Sequence, residues 1–385
     1  MVSYGLDNAL PFDGDPDPTL PWADDDDSLL VPGSLLLVEP AHSASPIAGV
    51  PATGADMPNI AWKRFRDVLG AAVFTARIDN GSAGNAGNVM TVTAIAAGAI
   101  VVGQTLNGAN MPAADTYFVA SQVSGTPGRE GVYAIGYTAA GINVAVGTIT
   151  ATAGDAGNLS NTFVVNSDSA SLFMRERTPK GGLHLAISQT NDNVSGAWQG
   201  IDSKARLKNY IFANLAHAYY VSTWESVTRP GVGSSAFPPQ QAICDITTST
   251  GRFVTVWTQQ DGTGYTFLPQ AGTSQRIGFF DSQAANPNTV GTRLRAIGVN
   301  GATSAVAFSN IAVKPFVVGH TDAFASASTY GNKSASRVLY RTYIEDLTVS
   351  GRSYAQVQAL DYAAWRDAFG AGGRYAGDTF TPPAV

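Results

Sequence analysis

Between Gly87 and Tyr137, short β-prone runs alternate with glycine, asparagine and proline about every ten residues. That spacing leaves no room for an ordinary helix. It admits only short strands joined by tight turns, the pattern of a small all-β module. Val89, Thr91, Thr93 and Ile95 share one face of its clearest strand, and Met90, Val92 and Ala94 share the other. Both faces are small or apolar, so this strand is expected to be covered on both sides.

The punctuation falls in three blocks: Gly103, Gln104, Leu106 and Gly108; then Thr116 and Val119; then Ser124, Gly125, Thr126, Gly128, Gly131 and Tyr133. Together they resemble a module that recurs in bacteriophage tail-fibre and other virion appendage proteins. Pro127 and the inserted Arg129 and Glu130 depart from its pattern as loop variation. The resemblance spans Gly87 to Ala153. It implies a viral structural protein, a tail-fibre, spike or capsid-decoration subunit that is assembled in the host cytoplasm, carried in the virion and homotrimeric. It implies nothing about catalysis.

The rest of the chain fits an all-β protein. Only 14% of its 385 residues are charged, and 41 are glycine, a turn-rich composition far from that of a helical bundle. The net charge of −6 argues against nucleic acid as a partner. No apolar run is long enough to span a membrane, and no signal peptide is apparent. Cys244 is the only cysteine and the four histidines are scattered, so no disulfide, metal site or cofactor is expected.

Residues 1–60 read as an extended attachment arm. Prolines and the run Asp24 to Asp27 interrupt every regular element. Trp22, Leu29, Leu30, Leu35, Leu36 and Leu37 supply spaced apolar anchors for another virion protein of the head, collar or tail. Residues 61–153 form the Gly-rich module, entered through a strand or short helix around Trp62 to Leu69. The cations Lys63, Arg64 and Arg66 there could meet Asp24 to Asp27. Residues 154–180 are a connector with two strands.

Residues 181–352 carry alternating strands and predict a two-sheet β-sandwich, jelly-roll or concanavalin-like. Its members include His217–Glu225, Gln275–Phe280, a strand at 312–317 interrupted by Pro315 at an edge, and a longest strand over 338–349. Residues 353–385 hold one helix, Ser353 to Phe369, with Ser353 and Gln356 as a capping box. Tyr354, Val357, Leu360, Ala364 and Ala368 form its apolar stripe, and Gly370 is its left-handed stop.

Catalytic signatures are missing: no phosphate loop, no nucleophile elbow, no zinc-protease helix. His217, with Glu225 and Asp245 downstream, is the one histidine placed for a triad. It reads more simply as a hydrogen-bonded strand residue. Glu345 and Asp346 are adjacent on a strand and so point to opposite faces, which excludes a glycosidase pair; Arg341 or Arg352 is the expected ion partner. The chain is therefore read as a non-enzyme, with a polysaccharide-degrading tail enzyme as the alternative. Trp257, Gln259, Asp261 and Tyr265, with Trp224, combine aromatic faces with amides and a carboxylate. They are the candidate site for a bacterial surface glycan, set against the ordinary use of strand aromatics as core.

Overall fold

A computed structural model describes residues 27–42, 49–79, 88–108, 111, 117–137, 142–154, 159–166, 172–190, 198–231, 241–248, 251–258, 265–268, 275–283, 289–300, 312–319 and 334–383. Trp22 of the expected arm lies outside them. The leucines do not behave as anchors for a partner. Strand β1 (Ser34–Val38) is buried at every position and pairs antiparallel with β21 (Ser336–Asp346), some 300 residues later. Leu35 and Leu36 enter the main core, while Leu37 joins Leu29 and Leu30 in a second cluster. These leucines are buried in the chain's own fold, which removes them as anchors for a partner.

Asn59 locks that placement. Its side-chain oxygen accepts from the N–H groups of Leu37 (2.9 Å) and Ala61 (3.0 Å), and its amide donates to Leu35 O (2.8 Å) and Leu159 O (3.0 Å). Four bonds use the full capacity of a buried amide. After β2 (Asp56–Met57), the entry segment is a helix, α1 (Trp62–Leu69), with Phe65 and Leu69 buried.

The Gly-rich module closes on itself. Strands β3 (Ala71–Asp79), β4 (Asn88–Gly98), β5 (Thr105–Gly108), β6 (Tyr117–Gly125), β7 (Gly131–Tyr137) and β8 (Val144–Thr152) form a closed barrel in the order β3-β4-β7-β6-β5-β8. Phe74, Ile78, Met90, Leu106, Tyr133 and Ile149 fill it. Closure leaves one inner face and one outer face per strand. Met90 and Val92 therefore point inward, while Val89 and Thr91 are half-buried and Thr93 is exposed. The expected cover on both sides is not needed. Two glycines make the curvature possible. Gly98 has φ +72, and a side chain there would strike Ala71 O; Gly136 leaves the space that the ring of Phe118 occupies.

The body follows. Strand β9 (Asn161–Val165) joins β2, β12 (Trp198–Ser203) and β20 (Phe316–Gly319) in a four-stranded sheet. Strands β10 (Phe173–Arg177), β11 (Leu183–Ile187), β13 (Tyr219–Arg229), β17 (Gln275–Asp281) and β18 (Gly291–Asn300) join β1 and β21 in a seven-stranded one, ordered β10-β11-β21-β13-β18-β17 with β1 beside β21. The two sheets share one apolar core, including Phe163, Leu185, Ile201, Val221, Ile297, Phe316 and Leu339. Both strands expected in the connector are thus built into the body.

A third sheet contains β14 (Gln241–Thr248), β15 (Gly251–Thr258), β16 (Tyr265–Leu268) and β19 (Ala312–Lys314). Pro315 divides the strand expected at 312–317: β19 pairs with β14, while β20 pairs with β12 in another sheet. The protein is β-rich as expected. Its seven- and four-stranded sheets do not reproduce a jelly roll of eight strands.

Four helices occur among the described residues, where the sequence suggested one with a second left open. Helix α2 (Ala205–Ala213) buries Arg206, Leu207, Asn209, Tyr210, Ile211 and Phe212; burial on nearly all sides erases the stripe that would have announced it. Helix α3 (Leu347–Ser350) takes the end of the expected longest strand, because Asp346 caps it by accepting from the N–H groups of Thr348 (3.0 Å) and Val349 (3.1 Å).

Helix α4 (Tyr354–Phe369) has the expected capping box on Ser353. Its buried residues are Val357, Asp361 and Ala368, whereas Leu360 is exposed, so the stripe is rotated from the expected one. Gly370 has φ −68 and is not a left-handed stop; Gly372, at φ +79, takes the left-handed conformation.

The barrel is fixed to the body by a residue of the resemblance. Gln104 is fully buried, donates to Leu69 O at the end of α1 (2.7 Å) and to Ala99 O (3.2 Å), and accepts from Val101 N–H (2.9 Å). Phe118 and Ala120 of β6 pack on Phe212 of α2. Removing residues 1–26 is expected to leave a cooperatively folding protein, because β1, Asn59 and Asp27 remain. Removing residues 1–58 deletes β1 and is expected to abolish the single thermal transition in calorimetry. A sharp, unshifted transition in the longer deletion would contradict this placement.

Candidate functional site

Of the expected glycan residues, Trp224 is enclosed in the fold. Trp224 has no exposed surface; its Nε1 donates to Asp361 Oδ1 of α4 (2.7 Å), and Tyr220 donates to Asp361 Oδ2 (2.8 Å). Both aromatics lie under α4, while Tyr219 is buried in the core between the sheets. Trp224 is therefore structural and cannot stack on a sugar. Gln259 and Asp261 lie outside the described residues. In the β15–β16 pair, Trp257 is opposite Thr266 and Thr258 is opposite Tyr265.

The sequence reading missed Asp361. Burial raises its carboxyl above the usual range, against the hydrogen bonds of Ser222, Tyr220 and Trp224 and the charge of Arg341. The available signal was an acid four residues after Val357 and seven before Ala368, inside an apolar stripe.

The densest polar site joins both ends of the described chain to β21. Arg341 is buried; its Nε donates to Glu39 Oε2 (2.8 Å) and its Nη2 to Asp27 Oδ2 (2.6 Å). Glu39 also accepts from Tyr375 OH (2.6 Å) and pairs with Arg374 (2.8 Å). The Arg341 guanidinium lies 4.3 Å from the Trp224 ring centre, and that of Arg374 lies 5.7 Å away. Burial would raise Asp27, but the charge of Arg341, the hydrogen bonds from Leu29 N–H and Arg341, and the charge of Arg374 together outweigh it and hold the carboxyl below its ordinary value. Asp27 thus meets Arg341 and not the basic stretch of α1.

Glu345 pairs with Arg352, whose Nε donates to Oε1 (2.9 Å), as one of the two expected partners. Asp346 does something else. Its Oδ2 accepts from Tyr210 OH (2.8 Å) and lies 2.6 Å from His217 Nδ1. His217 therefore finds Asp346 rather than Glu225 or Asp245, and it sits just before β13 with a partly exposed ring. Glu225 is committed inside the body to Arg295 and lies 3.9 Å from Arg337. Burial pushes the Arg337 guanidinium down to about 10. Asp245 lies on β14, paired with Thr255 and Lys314.

A second histidine is more completely enclosed. His184 of β11 has Nδ1 at 2.8 Å from Glu176 Oε1 and Nε2 at 2.9 Å from Thr228 Oγ1, with the ring of Phe380 5.3 Å away. Both ring nitrogens are engaged, so the imidazole ties β10, β11 and β13 together. Burial lowers its pKa, against the hydrogen bond and charge of Glu176.

No protein-family model matches the chain, and comparison with curated proteins and with solved structures finds no match.

Two measurements test these contacts. Arg341→Met leaves Glu39 and Asp27 without their shared cation and is expected to cost about 3–5 kcal/mol in urea denaturation; a loss under about 1 kcal/mol would show the cluster to be peripheral. For His184, the folded chain binds fewer protons than the unfolded chain below the ordinary histidine pKa. Stability is therefore present above about pH 6.5 and falls as the pH drops below it. His42, also lowered by burial, has the same sign. Asp361 and Asp281, raised by burial, have the opposite sign, and Asp27 and Glu176, held low, act at more acidic pH. His184→Gln is expected to flatten the fall in melting temperature between about pH 7 and about pH 5. Parallel curves for the two proteins would refute the assignment.

Proposed function

We propose that the protein is a structural subunit of a bacteriophage particle, a fibre or spike component that joins the particle through its first residues. The observation that carries this reading is that the segment resembling the appendage module supplies β4 to β8 of a self-closed barrel. Its motif residue Gln104 is the buried link to the body. A module with its own core and a fixed joint is suited to a projecting, load-bearing part.

The attachment element is now narrower than the sequence suggested. Leu29, Leu30 and Leu35 to Leu37 serve the body, so residues 1–26, with Trp22 and three aspartates of the acidic run, carry the attachment. The β15–β16 hairpin is the region assigned to host-surface glycan, centred on Trp257 and its following loop. Trp224 is no part of it.

Incorporation into particles is the direct test. A chain lacking residues 1–26 is expected to fold but to be absent from purified particles, whereas the full chain co-purifies with them. Normal incorporation of the shortened chain would overturn the attachment, and failure of the full chain to incorporate would overturn the structural role. On a glycan array, Trp257→Ala is expected to lose binding while retaining the wild-type melting temperature.

A further inference from the structure

After α4 the chain folds back on the helix as far as Ala376, with Tyr375 N–H donating to Ala368 O (2.8 Å). Gly377 then takes φ +69, and nothing lies within 4 Å of where its side chain would be. Beyond this hinge, residues 378–383 run across β10, β11 and β13 without a strand ladder. Separate contacts with the body hold them. Asp378 Oδ1 accepts from Lys180 N–H (3.0 Å), Phe380 packs on His184, Thr381 N–H donates to Glu176 Oε1 (2.7 Å), and Arg229 Nη1 donates to Pro383 O (3.3 Å).

The receiving groove is therefore a built recognition surface for a short extended segment. A backbone donor and a guanidinium mark its ends, and a carboxylate and an apolar seat lie between them. It begins at the β10–β11 turn, at the rim of the seven-stranded sheet, and ends at Arg229 of the inner strand β13.

We propose that residues 378–383 form an exchangeable strap and that the groove on β10, β11 and β13 accepts the same strap from a second copy of this chain. The contacts are identical within one copy and between two, so exchange changes only the hinge at Gly377 and the entropy of association. Within one copy the short tether gives a high effective concentration, which favours the closed form in dilute solution. Copies held side by side in an assembly remove that advantage. The His184–Glu176 pair lies directly beneath the strap, so acidification loosens the seat. The groups facing it are Glu176 of β10, Thr228 and Arg229 of β13, Lys180 of the β10–β11 turn, and Asp378 of the strap, which Tyr340 of β21 also contacts.

The proposal is independent of the virion reading and is tested on the full chain. Thr379 is exposed and is not one of the residues that seat the strap, so a photoreactive benzophenone side chain can replace its own without removing those contacts. Tagged and untagged copies are mixed, illuminated at increasing concentration and mapped by mass spectrometry. The expected result is tagged-to-untagged crosslinks within residues 172–190, with a share that rises with concentration. Phe380→Ala is expected to lower the yield of crosslinks in residues 172–190, within and between copies alike, because both forms seat the same partly buried ring. Crosslinks within single copies at every concentration would overturn exchange. Crosslinks between copies that map elsewhere, or that ignore Phe380→Ala, would overturn the groove. A positive result with a chain that never enters particles would leave exchange standing and remove the virion role.

Discussion

Arg341 sits at the middle of β21 and carries the charge on which the body closes. Two carboxylates from the start of the described chain, Asp27 and Glu39, converge on it, and Arg374 and Tyr375 from the other end converge on Glu39. Burying these groups singly would be prohibitive. Arg341, buried against the face of Trp224, balances Asp27 and Glu39, and the half-exposed Arg374 adds a second cation from the solvent side. The consequence is topological: β1 can occupy its place beside β21 only if Glu39 is delivered to Arg341, and the segment after α4 is drawn to the same point.

Around that hub each layer is fixed by a buried polar group with a full set of partners. Asn59 holds β1 through four hydrogen bonds. Asp361 fixes the rotation of α4 over Tyr220 and Trp224, which is why the helix shows Leu360 to solvent and turns an acid inward. Asp346 ends β21, starts α3 and gathers Tyr210 and His217. Apolar burial supplies most of the driving force, but it is non-directional. These polar groups choose among the packings that it permits.

The barrel follows a different rule. Six short strands close into a ring, so their edges are satisfied without a neighbour, and small residues that looked ready for cover on two sides face water on one. Its joint to the body is local, through Gln104, Phe118 and Phe212. A small, separately cored element thus stands on a body whose two ends are tied together.

What the sequence determined by itself was local and periodic. Alternation and turn residues marked the β class, the module between Gly87 and Ala153, and most strands of the body. Ser353 and Gln356 marked the start of α4, and the sequence offered Arg341 or Arg352 as the ion partner of Glu345, of which Arg352 is the one used. What tertiary structure alone decided was long-range. Leu35 to Leu37 looked like anchors for a partner because their partner strand lies some 300 residues away. Trp224 looked like a ligand face because the helix that covers it comes more than 100 residues later. His217 met Asp346, which no spacing rule links to it. Periodicity reports which faces of a segment are apolar, whereas the identity of the surface that covers each face depends on contacts between residues far apart in the chain.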